Sequence, residues 1–311
     1  MIHRPVRMLA VIVLYKLKPN ESITLTSLQE SISQVRPGQA DIRILLYDNT
    51  PGGQNPGPLP SEVQYQADPE NSGLAKAYNY ATQIALEEGF DWLLTLDQDT
   101  NLPLDFVRKL CHTARYVEPL INVAAILPHI SDNGKVISPF ILRKHVALLK
   151  RFPEGFVGVS LDNTIAANSA SAIRVSALKS IGGYDPRFHF DASDWVLFQR
   201  LHRNNFRAFI AGNIHVEHSL SVLDLDNRTT PERYGAMLRA EEAFCHQYMG
   251  RLESAVILIK VFYRLIYKIW ATGGSLPYFK VGFKFLCRRL LYSRKQRAAS
   301  WEQSIKQRSA V

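Results

Sequence analysis

Apolar residues in this chain fall into short runs separated by stretches of helical period. Met8 to Tyr15, Ile42 to Tyr47, Val63 to Gln66, Trp92 to Leu96 and Val123 to Leu127 are such runs, each ending in polar or turn-forming residues. Runs of this length predict buried strands. Between them, Ser22 to Ser33 carries Ile23, Leu25, Leu28 and Ile32 at helical spacing. Leu74, Ala77, Tyr78, Ala81, Ile84 and Ala85 form an apolar face that stops at Gly89, and Leu104 to Tyr116 makes a third helical stretch. Strands alternating with helices over residues 8–130 predict an α/β fold, a mostly parallel sheet flanked by helices.

The pattern then changes. Residues 131–160 predict an irregular or hairpin insertion, and His129, Lys144 and His145 receive no role. From Thr164 a small-residue stretch predicts a strand to about Ile173, then a short helix closing at Gly182-Gly183. A helix beginning near Asp194 would turn Trp195, Leu197, Phe198 and Leu201 inward and leave Gln199, Arg200 and Arg203 elsewhere. A strand at Ala208 to Ile210 precedes His215 and His218. Three residues apart on a strand means opposite faces, so one of the two at most reaches a given site.

Carboxylates recur where strands end. Trp92 to Leu96 runs directly into Asp97-Gln98-Asp99, and Ile42 to Tyr47 runs into Asp48. In open α/β sheets, ligands bind beyond the carboxyl ends of the strands. Mg²⁺ or Mn²⁺ takes one or two carboxylates together with substrate phosphate oxygens, which Asp-x-Asp can supply. Asp pairs are also ordinary turn residues, as Asp48 before Pro51 and Gly52 would be, and Asp194 could simply cap its helix. Asn71-Ser72-Gly73 opens a helix whose free N–H groups suit a phosphate or sugar oxygen, or serves packing alone. No GxGxxG or GxxxxGK[ST] follows any strand, so a dinucleotide fold and a P-loop are unsupported.

Charge divides the chain. The net charge is +9 over 311 residues, and residues 251–311 hold 13 Lys and Arg against 2 acids, +11, leaving −2 for the rest. A nucleic-acid-binding body is therefore unsupported, and a basic appendage facing an anionic surface is expected. Residues 255–270 and 279–292 are apolar with cations at Lys260, Arg264 and Lys268, and at Lys280, Lys284 and Arg288, each set in a helical stripe. They predict two amphipathic basic helices joined by a Gly/Pro hinge, lying in the plane of an anionic membrane or packing as an ordinary hairpin. Cys111, Cys245 and Cys287 lack metal or disulfide spacing and predict free thiols in a reducing compartment. The first apolar run is shorter than a signal peptide requires, so the expected place is the cytoplasm, peripheral to the inner face of the membrane.

In order, Asp48, NSGLAKAYN (residues 71–79), LTLDQDT (94–100) and GGYDPRFHFDASDWVLFQRL (182–201) resemble the family-2 glycosyltransferases of GT-A fold, and LDQD resembles the bacterial rhamnosyltransferase branch. The resemblance covers residues 8–220 and implies a domain over residues 1–225, followed by a basic helical extension over 226–311. It implies a nucleotide-sugar donor held by Asp48, Asn71, Gly73, Asp97, Asp99 and Arg200. It further implies a divalent metal, Mg²⁺ or Mn²⁺, on Asp97, Asp99 and His218, and Asp194 as catalytic base. Ser193 stands where the family has Glu, although Asp191 and Asp194 keep an Asp-x-x-Asp pattern, and His218 lacks the usual following glycine. The implied reaction is inverting transfer of a sugar, rhamnose from dTDP-rhamnose first, to a lipid-linked or polysaccharide hydroxyl. Transfer of another hexose, from UDP-glucose or UDP-galactose, and a non-catalytic membrane scaffold are the alternatives.

Overall fold

Every residue from Met8 to Leu14 is buried, because the strand they form has a helical layer on each side. Met8, Ala10, Ile12 and Leu14 point into one core and Leu9, Val11 and Val13 into the other. The computed structural model describes residues 4–143, 148–218, 230–271 and 276–309. Its first half runs β1 (Val6–Leu14), α1 (Ile23–Ser33), β2 (Ala40–Asp48), β3 (Val63–Ala67), α2 (Leu74–Glu87), β4 (Trp92–Asp97), β5 (Thr100–Asn101), α3 (Phe106–Val117) and β6 (Val123–Asp132). Then come β7 (Lys135–Ser138), β8 (Phe140–Arg143), β9 (Leu148–Arg151), β10 (Val157–Ser160), β11 (Thr164–Ile165), β12 (Ser171–Arg174), α4 (Val175–Ile181), α5 (Ser193–Arg203) and β13 (Arg207–His218).

The main sheet has the order β10-β13-β6-β12-β4-β1-β2-β3. β4, β1, β2 and β3 are parallel, as is β13 with β6, whereas β12 lies antiparallel between β4 and β6. Leu25 and Leu28 of α1 and Phe106, Val107 and Leu110 of α3 fill one core; Ala77, Tyr78 and Ala81 of α2, Leu178 of α4 and Leu197 of α5 fill the other.

Several expectations need correction. Thr164 to Ile173 is two strands, β11 and β12, with Ala170 between them in a left-handed conformation (φ 59°). β13 extends over 12 residues, and its register against β6 shifts between Ala211 and His215. The 131–160 insertion, expected as irregular or hairpin, does contain a hairpin: Asn133 and Gly134, both at positive φ, turn β6 into β7. Lys144 and His145 lie outside the described residues.

The chain divides into two units, Met1–Ile141 with Lys150–Ser219, and Leu142–Leu149 with Leu220–Val311. The boundary expected at residue 225 lies outside the described residues, as do residues 272–275 of the expected hinge. The second unit contains α6 (Pro231–Tyr248), α7 (Arg251–Ala271), α8 (Leu276–Leu291) and α9 (Arg294–Ser309), so the expected two helices are accompanied by two more. Tyr234, Leu238, Val261, Leu265 and Phe285 form its core. α8 approaches α7 so closely at Gly282 that a Cβ there would stand 2.0 Å from Leu265 Cδ2. Arg264 pairs with Glu241 through two bonds of 3.0 and 2.5 Å, and Arg289 and Arg297 both reach Glu242. The cationic stripe of α7 is thus partly turned into its own helical bundle. Cys111 and Cys245 are buried and all three thiols are unpaired.

Candidate active site

β4 delivers Asp97 to the end of the sheet, and the turn that follows is clamped from two sides. From α1, Ser22 Oγ donates to the Gln98 carbonyl at 2.8 Å. Thr24 Oγ1 lies 2.7 and 2.9 Å from the Asp97 and Thr100 carbonyls and accepts the Thr100 N–H at 2.7 Å. From the loop before β12, Ser169 Oγ accepts the Asp97 N–H at 3.2 Å and hydrogen-bonds Thr100 Oγ1 at 2.6 Å. Thr24, Thr100 and Ser169 are fully buried. Rigid support of this kind fixes where the acids point. Of the three hydroxyl residues, Thr100 closes LDQDT and Ser169 lies within NSAS, whereas nothing in the sequence around Thr24 marks it.

Alternation along β13 buries Ile214, Val216 and His218 and exposes Asn213, His215 and Glu217, so only His218 reaches the acids. His215 instead lies beside His129, ring centroids 5.8 Å apart. His218 Nε2 stands 3.5 Å from Asp97 Oδ2; its Nδ1 lies 3.1 Å from Thr100 Oγ1 and 3.7 Å from Asp99 Oδ1. Two ligands at about 2.1 Å from one cation stand roughly 3 Å apart when at right angles; Asp97 Oδ2 and His218 Nε2, at 3.5 Å, are somewhat wider than that. Asp99 faces the other ring nitrogen. Among the described residues no three His, Cys, Asp or Glu side chains are grouped to hold a metal. An ion held by Asp97 and His218 would thus need a wider angle at the metal and its remaining ligands from a bound molecule. Burial pushes the Asp97 carboxyl up, Asp99 adds to that, and His218 opposes it.

Asp194 belongs to the same group of charges. It is the second residue of α5, and its Oδ1 accepts the Trp195 N–H at 2.8 Å. The N-cap is Ala192, not Asp194, which corrects the capping alternative. Ala192 holds φ 59°, an unfavourable left-handed conformation for a residue with a Cβ. Burial pushes the Asp194 carboxyl up to about 7, against the Trp195 hydrogen bond and with a further push from Asp97 and Asp191. A carboxylate that titrates near neutrality beside a strand-end acid is suited to accept a proton.

The remaining expected donor contacts are placed differently. Asp48 is fully buried: Oδ1 accepts the Thr50 N–H at 3.0 Å and Oδ2 the Tyr65 hydroxyl at 2.5 Å. Next to it, Asn49 is also buried, and neither Oδ1 nor Nδ2 has a partner among the described residues. Asn71 sits at φ 52°, and its Oδ1 has no partner among the described residues. At Gly73 (φ 100°) a Cβ would stand 2.5 Å from the His189 carbonyl, which accepts the Ala75 N–H at 3.1 Å. That glycine lets the 183–192 loop close onto the start of α2, and Asn79 completes the clasp by bonding the Tyr184 N–H and carbonyl at 2.7 and 2.9 Å. Arg200 donates to the carbonyls of Ile181 and Gly183, which ties α5 to the end of α4. Gln199, expected to face away from the core, is fully buried and exchanges two hydrogen bonds with Asn163.

No family model matches the sequence, and no curated protein matches it. Solved structures do. GalNAc-T7, crystallised with UDP, GalNAc and Mn²⁺, matches at a TM-score of 0.54 and 13% identity over 79% of this chain and 49% of its own. The fold is of the GT-A type. TarS of S. aureus matches at a TM-score of 0.50 and 11% identity over 93% of this chain and 44% of its own. The chain therefore spans about half, or less, of these two solved structures, and at these identities the likeness is one of fold.

Proposed function

We propose that this chain is a metal-assisted, inverting glycosyltransferase that moves a sugar from a nucleoside diphosphate to an acceptor hydroxyl. The observation that carries the proposal is the convergence of Asp97, His218 and Asp194 at the carboxyl ends of the strands of a GT-A-type sheet. Asp97 and His218 would hold Mg²⁺ or Mn²⁺ against the donor diphosphate, with Asp99 and the backbone of the clamped turn facing the ribose. A bound cation would supply charge stabilisation for the departing diphosphate. Asp194 takes the proton of the acceptor hydroxyl, and attack from the side opposite the diphosphate inverts the anomeric centre.

Asn49 is the base-reading residue in this proposal. Asp48 has both oxygens engaged by Thr50 and Tyr65 and shapes the pocket, whereas the buried Asn49 amide, without a partner among the described residues, would pair with a pyrimidine edge once the donor enters. Rhamnose as the sugar rests on the likeness of residues 94–100 and 182–201 to rhamnosyltransferases, and makes dTDP-rhamnose the first donor to try. Asn71 and Gly73 support the donor through the clasp between α2 and the 183–192 loop, and Arg200 supports it by fixing α5.

The acceptor we favour is lipid-linked, reached at an anionic membrane surface. No helix among the described residues is long and apolar enough to cross a membrane. On α7, Tyr263, Ile266, Tyr267 and Trp270 are exposed, and on α8 Phe279 and Phe283 are exposed beside Lys280 and Lys284. Aromatic side chains interleaved with lysines suit the headgroup region of an anionic leaflet. The test of the reaction is release of nucleoside diphosphate from dTDP-rhamnose, UDP-glucose, UDP-galactose or GDP-mannose in the presence of Mn²⁺ and lipid-linked acceptors. Release from one donor that stops in Asp194→Asn supports the proposal; release from none, by folded protein, removes it.

A further inference from the structure

The central strand β1 keeps its partners beyond its regular end, and on one side it does so through a side chain. Its last backbone pairs are Val13 with Asp97 of β4 and Leu14 with Asp48 of β2. On the β2 side the pattern continues: the Asn49 N–H donates to the Leu14 carbonyl at 2.8 Å, and the Lys16 N–H donates to Thr50 Oγ1 at 2.8 Å. On the β4 side the following backbone goes elsewhere, since Thr100 and Asn101 pair with β13. The Gln98 side chain takes its place. Its Oε1 accepts the Tyr15 N–H at 2.7 Å, and its Nε2 donates to the Tyr15 carbonyl at 3.4 Å. Gln54 Nε2 completes the series by donating to the Leu17 carbonyl at 2.9 Å.

Tyr15, Lys16 and Leu17 are thus held one after another by side chains from the turn after β4 and the loop after β2. Lys16, in the middle, sits at φ 54°, a left-handed conformation that costs a residue with a Cβ and persists where its surroundings fix it. The turn after β4 does not need the Gln98 amide for its own shape: Ser22 holds the Gln98 carbonyl, and Thr24 and Ser169 hold the backbone of Asp97 and Thr100. What the amide adds is a link from that turn to residues 14–17, and through Leu14 and Lys16 to Asn49 and Thr50. Because β1 lies between β4 and β2, Asp97 and Asn49 stand about 10 Å apart, two strand spacings. A ligand held at both ends has to match that separation.

We propose that Gln98 is a positioning residue for the nucleotide-sugar donor: its amide locks the end of β1 to the turn carrying Asp97 and Asp99, and so fixes the spacing between those acids and Asn49. This inference rests on the transferase proposal for the same site. Gln98 touches no reacting group in this role. It sets in advance a distance that the donor would otherwise have to impose on binding.

Gln98→Met, which keeps the length of the side chain and loses the amide, is the test. Calorimetric binding of dTDP, UDP and GDP is measured with Mn²⁺ present. The variant should bind the preferred diphosphate about 10-fold more weakly, the scale of one or two lost hydrogen bonds. Its ligand-free thermal midpoint should stay within about 2 °C of the parent's. A double-substitution cycle with Asn49→Ala supplies the readout that a local structural role would not move. If Gln98 aligns the acids with Asn49, the two losses overlap, and the double variant binds more tightly than the product of the single losses requires. Unchanged affinity in Gln98→Met, losses that multiply, or a loss of affinity accompanied by a comparable loss of ligand-free stability overturns the inference alone. A folded parent that binds none of the three diphosphates overturns the transferase proposal and this inference with it.

Discussion

Asp194 carries the reaction proposed here, and its environment makes two quantitative demands. As a general base its removal should be severe: Asp194→Asn should lower kcat by about 10²- to 10⁴-fold while calorimetric donor binding persists. Its carboxyl is pushed up to about 7 by burial, from an ordinary value near 4. Between those limits the folded protein holds a proton that the unfolded chain has released, so stability falls as pH rises from about 4 to 7 and levels off above. The slope from this one group is at most about 1.4 kcal/mol per pH unit. Denaturant titrations should therefore show Asp194→Asn gaining on the parent across that range and holding a constant advantage above it; a difference independent of pH would contradict the assignment. Asn49→Ala should weaken donor binding by about 1 to 3 kcal/mol, the scale of a lost hydrogen bond at a buried polar group, with unchanged affinity removing Asn49 as the base reader. Asp48 and Asp97 stand out in the sequence because a carboxylate directly after an apolar run marks a strand end, whereas Asp194 is singled out through the resemblance of residues 182–201. Asn49 does not stand out there, because the lack of a partner among the described residues is a property only the folded chain has. The hydroxyl clamp was hidden for a related reason: Thr24 and Thr100 lie 76 residues apart.

Elements rather than single residues decide whether the acids meet. α2, the 183–192 loop and α5 are joined at Gly73, Asn79 and Arg200, so the helix bearing Asp194 is held by contacts remote from Asp194 itself. Gly73→Ala places a Cβ 2.5 Å from a backbone carbonyl at a φ of 100° and should cost about 3 kcal/mol of folding stability. A thermal midpoint within a degree of the parent would show that the loop does not close there. The parallel half of the sheet followed from alternating apolar runs and helical stretches, since both faces of β1 are covered. Apolar pattern alone marks three residues of β13, Ala208 to Ile210, and the strand has 12. Its second half alternates cleanly from Asn213 to His218, but Gly212 and the register shift after Ala211 interrupt the apolar pattern that would have joined the two halves. β12 was read as part of a longer strand because Ala166 to Ala170 look continuous with it by composition, and the left-handed Ala170 has no signature in sequence.

At the scale of the molecule the chain pairs a GT-A-type unit with a helical unit whose outer surface is unusually apolar. Trp270 is 76% exposed, Tyr263 68% and Phe283 58%. Internal ion pairs engage Arg264, Arg289 and Arg297, so the basic excess of residues 251–311 is divided between holding the bundle together and facing outward. The charge asymmetry was legible in the sequence, whereas that division required the positions of Glu241 and Glu242 on α6. Full-length protein should float with vesicles containing anionic lipid and not with neutral ones, and Tyr263→Glu with Phe283→Glu should abolish flotation while leaving the fold intact. Flotation indifferent to lipid charge or to the double substitution would contradict an anionic membrane as the partner of this surface.

The central claim is that Asp97 and His218 share a cation with a sugar-nucleotide diphosphate. Calorimetric titration of dTDP-rhamnose, UDP-glucose, UDP-galactose and GDP-mannose into the parent and into Asp97→Asn, with and without Mn²⁺, tests it most directly. The account predicts that one donor binds the parent only with Mn²⁺ and that Asp97→Asn loses this metal-dependent binding. Binding that is the same with and without metal and survives the substitution, or no binding of any donor by the folded parent, would contradict it.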